Sequence, residues 1–407
     1  MRIAFFTDSY LPQRDGVVST IVNFRKELEK EGHEVFIFAA GSRKDKRENK
    51  DAHVFYHTAI PFKPYPDYKV ALFPVSSISK VRQLKVDIIH THSMASMGVA
   101  AYAAAKALGK PLVGTFHTLV PQATHYISRH RMVRKISGHL LWNYLKLYYN
   151  RCCTVMAPSK WIGGLIASKG IRNVVVVPPG IYAEKFAKGN GEAFRERFGL
   201  GNAPVIMYVG RVAEEKNLET LIKSAIFVLE EMPKAKFVIV GKGPAQKKYA
   251  ELARREGIGR SFVFTGFVKD EELADAYHAC DVLAFPSTFE TLGMVALEAM
   301  ACGKPVASAD HGPLREVVRE GVNGALFNPK SPDQCAEAIA RVYKARRRFA
   351  PACRKTAAEY SAGKSARKLV QVYERAVRMR MKGGKARRGG MKRARAWMKS
   401  MKRWHLR

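Results

Sequence analysis

Acidic residues are scarce in this chain. Its 407 residues hold 35 Asp and Glu against 70 Lys and Arg, a formal net charge of +35 at pH 7. Such an excess implies a polyanionic partner, either anionic lipid or nucleic acid, and composition does not choose between them. Cysteine is also sparse. The six include an adjacent pair, Cys152 and Cys153, but no Cys-x-x-Cys. That excludes a disulfide framework or a zinc site read from spacing, and points to reduced thiols. Long apolar runs are missing. The nearest, Met94 to Leu108, is alanine-rich and carries Lys106, so no membrane-spanning helix is expected. Met1 to Phe6 meets Asp8 without a long apolar segment, which reads as a strand and not as a secretory signal.

The chain is too long for one ordinary core, so two domains are expected. A hydrophobic fraction of 47% and 31 glycines fit a globular α/β protein. Arg2 to Phe6 reads as a buried strand. Asp15-Gly16-Val17-Val18 then opens a helix with apolar residues at Val18, Ile21, Val22 and Leu28, and Val35 to Phe38 is the next strand. Glycine at such a strand-to-helix turn lets amides approach a phosphate, although a plain turn is the favoured reading of Gly16 by itself. Ile60 to Pro74 mixes aromatics, prolines and lysines. It suits either a lipid interface through Phe62, Tyr65, Tyr68, Lys63 and Lys69, or a loop folded on the core. His90-Thr91-His92 ends another strand, and a hydrogen-bonded structural pair is favoured there over a metal site. His117 follows the strand Pro111 to Thr115, where open α/β sheets bind ligands, though taken alone a core histidine is the favoured reading. Met132 to Asn150 is a basic amphipathic helix rich in aromatics. Strands near Val155 and Val174 complete the first domain, and Pro178-Pro179-Gly180 begins a linker.

The second half repeats the alternation. Val205 to Val209 leads into Gly210-Arg211 and then Glu215-Lys216-Asn217, so Arg211 and Lys216 flank one strand-to-helix turn and can converge on a diphosphate. Phe237 to Val240 and Phe262 to Thr265 are further strands, the latter followed by Gly266-Phe267. Strands alternating with helices throughout imply two doubly wound parallel sheets.

The most informative stretch is Pro286 to Val306, PSTFETLGMVALEAMACGKPV. A buried strand, Val282 to Phe285, runs into a polar turn carrying Glu290. A helix starts near Met294 and Gly303 ends it. Glu298 lies about two turns along, so both carboxylates can share one side, and the amides of Leu292, Gly293 and Met294 make an anion site between them. Carboxylates hold polyols and free amides hold phosphate, which together describe a nucleotide sugar. Two solvated glutamates on a helix are the other reading of the pair.

With its continuation to Glu316-Val-Val318, this stretch resembles the Glu-x7-Glu signature of retaining glycosyltransferases of family 4. That resemblance implies the GT-B fold, two Rossmann-like domains facing a cleft. Residues 1–180 would bind the acceptor and residues 181–360 the nucleotide sugar. Residues 361–380 would form a helix returning to the first domain, followed by a basic tail at 381–407. Gly114 to Ile127, GTFHTLVPQATHYI, is similar to the matching segment of diacylglycerol glucosyltransferases. The resemblance assigns sugar contacts to Glu290 and His117, the ribose to Glu298, and the leaving diphosphate to Arg211 and Lys216. Gly293 and Met294 amides would share that diphosphate, with Leu292 beside them. Gly266 and Phe267 would read the base, and Gly16 would face the donor phosphates. The resembled family has a paired glycine where this chain has Asp15, and two glycines where it has His311-Gly312. No Asp-x-Asp occurs, so no metal is expected. The co-substrate would be UDP-glucose, and the partners a lipid acceptor and an anionic membrane surface on the cytoplasmic side. Thirteen cations fall in Arg378 to Arg407, with Trp397, Met401 and Trp404 at helical spacing, which suits either a bilayer-bound helix or a disordered tail. Two rivals stand beside this reading. A nucleic-acid-binding protein would explain the charge but not Arg211, Lys216, Glu290 and Glu298 at strand-to-helix turns. A nucleotide-sugar epimerase or hydrolase would share the donor site.

Overall fold

The computed structural model describes residues 1–380, apart from 14, 63–64, 73–75 and 123–129. Eight strands build the first sheet: β1 Arg2–Thr7, β2 Glu34–Gly41, β3 Val54–Phe62, β4 Tyr65–Ala71, β5 Ile88–Thr91, β6 Leu112–Thr115, β7 Thr154–Ala157 and β8 Val174–Val176, in the order β4-β3-β2-β1-β5-β6-β7-β8. Helices cover both faces, so the central strands are buried on both sides and mostly apolar. In β1, Ala4 and Phe6 enter one buried cluster and Ile3 and Phe5 the other.

The second sheet holds six parallel strands: β9 Val205–Val209, β10 Lys236–Val240, β11 Phe262–Gly266, β12 Val282–Phe285, β13 Val306–Ala309 and β14 Gly324–Phe327, in the order β11-β10-β9-β12-β13-β14. Chain order reverses between β1 and β5 in one sheet and between β9 and β12 in the other. Open α/β sheets hold ligands just beyond the carboxyl ends of strands at such points. The loops after β1, β5, β9 and β12 are therefore where chemistry belongs.

The sequence expectation needs one correction at the sheet edge. Within Ile60 to Pro74, residues 60–62 and 65–71 are neither an irregular loop nor part of a parallel ladder, because β3 and β4 pair antiparallel. The register shifts between Pro61 and Phe62, where proline supplies no ladder amide, and the sheet margin tolerates that loss. The side chains of residues 62–68, including Phe62, Lys63, Tyr65 and Tyr68, lie outside the described residues, as do residues 381–407.

The chain crosses between sheets twice, and the crossings lie side by side. Ile181 N donates to Tyr360 O and Ala362 N to Ile181 O, both at 2.9 Å. A Cβ on Gly180 would stand 2.4 Å from the Ala362 backbone, so only glycine permits this approach. The helix Pro332–Glu359 ends before the second crossing. Residues 362–380 then form the returning helix, which buries Leu369, Tyr373 and Ala376 beside Ile3, Phe5 and Val113. Other contacts also join the halves. The Glu316 carboxylate accepts from the amides of Lys160 and Trp161, at 3.0 and 2.6 Å, at the start of the helix Lys160–Ser168. Phe289 packs against the first domain's cluster that contains Phe116. All six cysteines are free thiols.

Candidate active site

The loop after β12 carries Glu290 and ends at Gly293, whose φ of 99° is left-handed and suits glycine. A Cβ there would also come within 2.7 Å of Leu314. The helix Met294–Ala301 follows, with no side chain capping it. Helix geometry leaves the amides of Met294 and Val295 without partners inside the helix, which makes a local positive end. Leu292 is 2% exposed and packs in the core, so it can offer a ligand only its backbone.

Opposite this loop is the turn after β9. Lys216 ends a short 3-10 helix, Glu214–Lys216. Its Nζ donates to Glu290 Oε1 at 2.7 Å and to Phe289 O at 3.1 Å. Both side chains are mostly shielded, so the pair is stronger than an exposed ion pair. Arg211 precedes this turn and is partly buried, and loss of water lowers its guanidinium below the ordinary range. The fold thus unites Lys216 and Glu290, 74 positions apart, while Arg211 lies at the head of the same turn.

Glu298 sits on the helix Met294–Ala301. Its Oε2 accepts from the buried Tyr277 hydroxyl at 2.8 Å. Burial raises the Glu298 carboxyl above its usual value, against the opposing pull of the Tyr277 bond and Lys185. Gly266 closes β11 with a φ of 72° and accepts the Gly241 amide at 2.9 Å; Phe267 beside it is 60% exposed.

The first domain contributes a column of imidazoles. His90 is fully buried, 2.6 Å from the hydroxyls of both Tyr373 and Thr115. His92 lies against it with ring centroids 4.1 Å apart and the rings tilted by 37°. Its Nδ1 lies 2.9 Å from His117 Nε2. Burial holds His90 and His92 well below the normal imidazole range, and brings His117 down to about 3. All three rings are neutral at physiological pH. His92 Nε2 is the one buried side-chain nitrogen or oxygen without a partner among the described residues. A neutral pair joined by one hydrogen bond leaves that atom seeking a hydroxyl.

The sequence reading gave His90 and His92 a joint structural role. Only His90 fits it, since His92 pairs with His117. Side chains two apart at a strand end share a face, so the H-x-H spacing places His90 and His92 together but gives no sign of His117. Gly16 needs a correction of emphasis. It starts the helix Gly16–Lys30, but the amides of Val17 and Val18 already donate to Asp15 Oδ1, each at 2.8 Å. A carboxylate occupies the place a phosphate would take. Although Asp15 reaches solvent, the protein packed around it raises its carboxyl above the ordinary range.

Set beside known proteins, residues 14–185 match the family described as Glycosyltransferase Family 4, and residues 191–360 that described as Glycosyl transferases group 1. The chain is 31% identical over 342 residues to an alpha-monoglucosyldiacylglycerol synthase of Acholeplasma laidlawii, spanning 81% of this chain and 85% of that one. It is 28% identical over 367 residues to a GDP-mannose-dependent alpha-mannosyltransferase of Mycobacterium tuberculosis, spanning 88% and 92%. In three dimensions it resembles Anabaena HepE solved with UDP, at a TM-score of 0.73 and 21% identity over 92% of this chain and all of that one.

Proposed function

This chain belongs to glycosyltransferase family 4, an enzyme of the GT-B fold, and from that premise we propose that it moves glucose from UDP-glucose to a membrane diacylglycerol with retention of anomeric configuration. The observation that carries this reading is the similarity, along most of both chains, to a synthase named for an alpha-glucosyl diacylglycerol. The site supports it with suitable chemistry.

The donor diphosphate would lie between the Met294–Ala301 helix start and the turn holding Arg211 and Lys216. Fixed cations and amides aimed at the leaving group act where charge develops. The Lys216–Glu290 ion pair sets both groups before the donor arrives. On binding, Lys216 would turn to the diphosphate and Glu290 to sugar hydroxyls. Tyr277 holds one oxygen of Glu298, leaving the other to accept from the ribose. Gly266 and Phe267 would border the base. Leu292 contributes backbone alone. Gly16, with open space where a Cβ would stand, would border the donor beside Asp15, whose carboxylate would accept a hydroxyl better than it tolerates a phosphate.

His117 would orient the sugar and the attacking hydroxyl as a neutral group. His92 holds it through the bond to Nε2. The acceptor oxygen attacks C1 from the face the diphosphate leaves, and its proton passes to a departing phosphate oxygen. Closure about the paired crossings at Gly180 would exclude water and suppress donor hydrolysis. No metal is required in this scheme, because Arg211, Lys216 and helix amides neutralise the diphosphate.

No described helix is long and apolar enough to cross a membrane. We place the enzyme at the inner membrane face, held by its basic surface. A second reading, a mannosyl donor, draws on the GDP-mannose-dependent relative. Labelled UDP-glucose and GDP-mannose offered separately, with total lipid extract, distinguish them. Label from UDP-glucose entering the lipid fraction supports the proposal; label entering only from GDP-mannose, or appearing only as free sugar, overturns it.

A further inference from the structure

The helix Arg131–Tyr149 has two apolar faces, and only one is used by the fold. Its inner face buries Leu145, Tyr148 and Tyr149. Trp142 stacks on Phe116 with ring centroids 6.2 Å apart. The outer face bears Met132, Val133, Ile136, Leu140, Tyr144 and Leu147, which make up six of the fourteen exposed large hydrophobic residues among those described. Met132 is 75% exposed, Leu140 62% and Leu147 63%. At about 100° per residue these six fall within an arc of roughly 120°, pointing away from the core. Clustered exposed apolar side chains of this kind mark a surface that meets a partner.

Charge identifies the partner. The helix sequence contains four Lys or Arg and no acid. Exposed His139 and Lys146 run along one border of the stripe, and exposed Asn143 lies just inside it. An apolar strip on a helix whose sequence is cationic and free of acids, with Lys146 exposed at its border, matches an anionic bilayer, where the strip enters the acyl boundary and the positive charge favours headgroup phosphates. Position agrees. The inner face rests on Phe116, which directly precedes His117, so a lipid drawn up beside this helix arrives at the candidate sugar-transfer centre. The stripe also adjoins the edge hairpin. Tyr144 Oη donates to Met94 O, and two residues on, Ser96 Oγ accepts from Ala71 N, next to exposed Leu72.

We propose that the outer face of the helix Arg131–Tyr149 is the membrane-docking surface, seated on a phospholipid bilayer that bears anionic headgroups. This rests on the proposed lipid acceptor and names the surface that reaches it. It differs from the sequence expectation, which put the contact in Ile60 to Pro74 and in the basic tail.

The test uses the full chain and the triple variant Ile136→Gln, Leu140→Gln, Leu147→Gln. All three side chains are exposed, so the fold does not depend on them. Co-sedimentation with phosphatidylcholine vesicles, with and without phosphatidylglycerol, reads binding. Transfer to a short-chain diacylglycerol in free solution reads catalysis. The wild type should bind anionic vesicles preferentially, weakening with salt without loss. The variant should bind about a hundredfold less, with transfer to the dissolved acceptor unchanged. Variant binding within twofold of wild type overturns the proposal, as does a wild type that glycosylates dissolved diacylglycerol yet ignores vesicles; both leave the proposed function standing. A concentration-dependent dimer in sedimentation velocity, abolished by the same substitutions, assigns the face to a second copy and also overturns it. A wild type inactive on every diacylglycerol overturns the proposed function, while the vesicle arms still decide the helix.

Discussion

Acid should weaken this protein more steeply than its carboxylates alone would, because of the imidazole column. His90, His92 and His117 stay neutral in the fold, while the unfolded chain protonates each near pH 6.5. Below that pH the unfolded state binds more protons, so stability rises with pH and is lost as pH falls. Each neutral histidine costs about 1.4 kcal/mol per pH unit below about 6.5, so lowering pH from about 7.5 to about 5.5 removes roughly 1.4 kcal/mol per ring, or about 4 kcal/mol for all three. Counting only His90 and His92, at 0% and 4% exposure, gives about 3 kcal/mol. Either figure is a large share of an ordinary domain's 5–15 kcal/mol, taken as a rough range. Urea unfolding across this pH window, followed on the first domain, provides the measurement. His90→Asn should be less stable at neutral pH, since Tyr373 and Thr115 lose their shared partner. Its stability should nevertheless fall with a slope one proton shallower than wild type. Parallel curves for the two proteins would refute the reasoning, for they would mean that His90 titrates in the fold as it does in the unfolded chain.

Four further outcomes follow from the site. Glu290→Ala should lower turnover at saturating donor by about 10²–10³-fold, because sugar positioning is lost and Lys216 loses its partner. Arg211→Ala combined with Lys216→Ala should cost at least as much, read as kcat for glycosyl transfer. Glu298→Gln should raise donor KM and yet melt higher than wild type by a margin greater at pH 7 than at pH 4; the raised carboxyl is an ionised burden above its folded pKa, and none once protonated. Transfer should survive exhaustive EDTA treatment, and complete loss restored by magnesium or manganese would show that Arg211, Lys216 and the helix amides do not suffice.

The parts of the fold set by local pattern were legible in the sequence. Arg2 to Phe6 and Val282 to Phe285 read as buried strands, and Gly293 and Gly303 bracket the helix carrying Glu298 as glycine punctuation predicts. The antiparallel β3–β4 edge was not legible, because Pro61 and Pro66 argue against strands everywhere except at a sheet margin. Pairings over long separations were hidden as well. Nothing local joins Lys216 to Glu290, or His92 to His117, until adjacent strands bring their carboxyl ends together. Asp15 read as a substituted glycine, and its capping of Val17 and Val18 needed the helix axis to be known. The helix Arg131–Tyr149 was recognisable as amphipathic and basic. Which apolar arc meets the core could not be read, since apolar residues occur on both sides.

The most direct measurement supplies the enzyme with UDP-glucose and diacylglycerol in phosphatidylcholine–phosphatidylglycerol vesicles and determines the product by proton NMR. The expected product is a glucosyl diacylglycerol whose anomeric signal is α, formed at least about 10²-fold more slowly when Glu290→Ala replaces the wild type. A β-linked glycolipid would contradict retention, and glucose or an epimer released to water with no glycolipid formed would contradict lipid transfer itself.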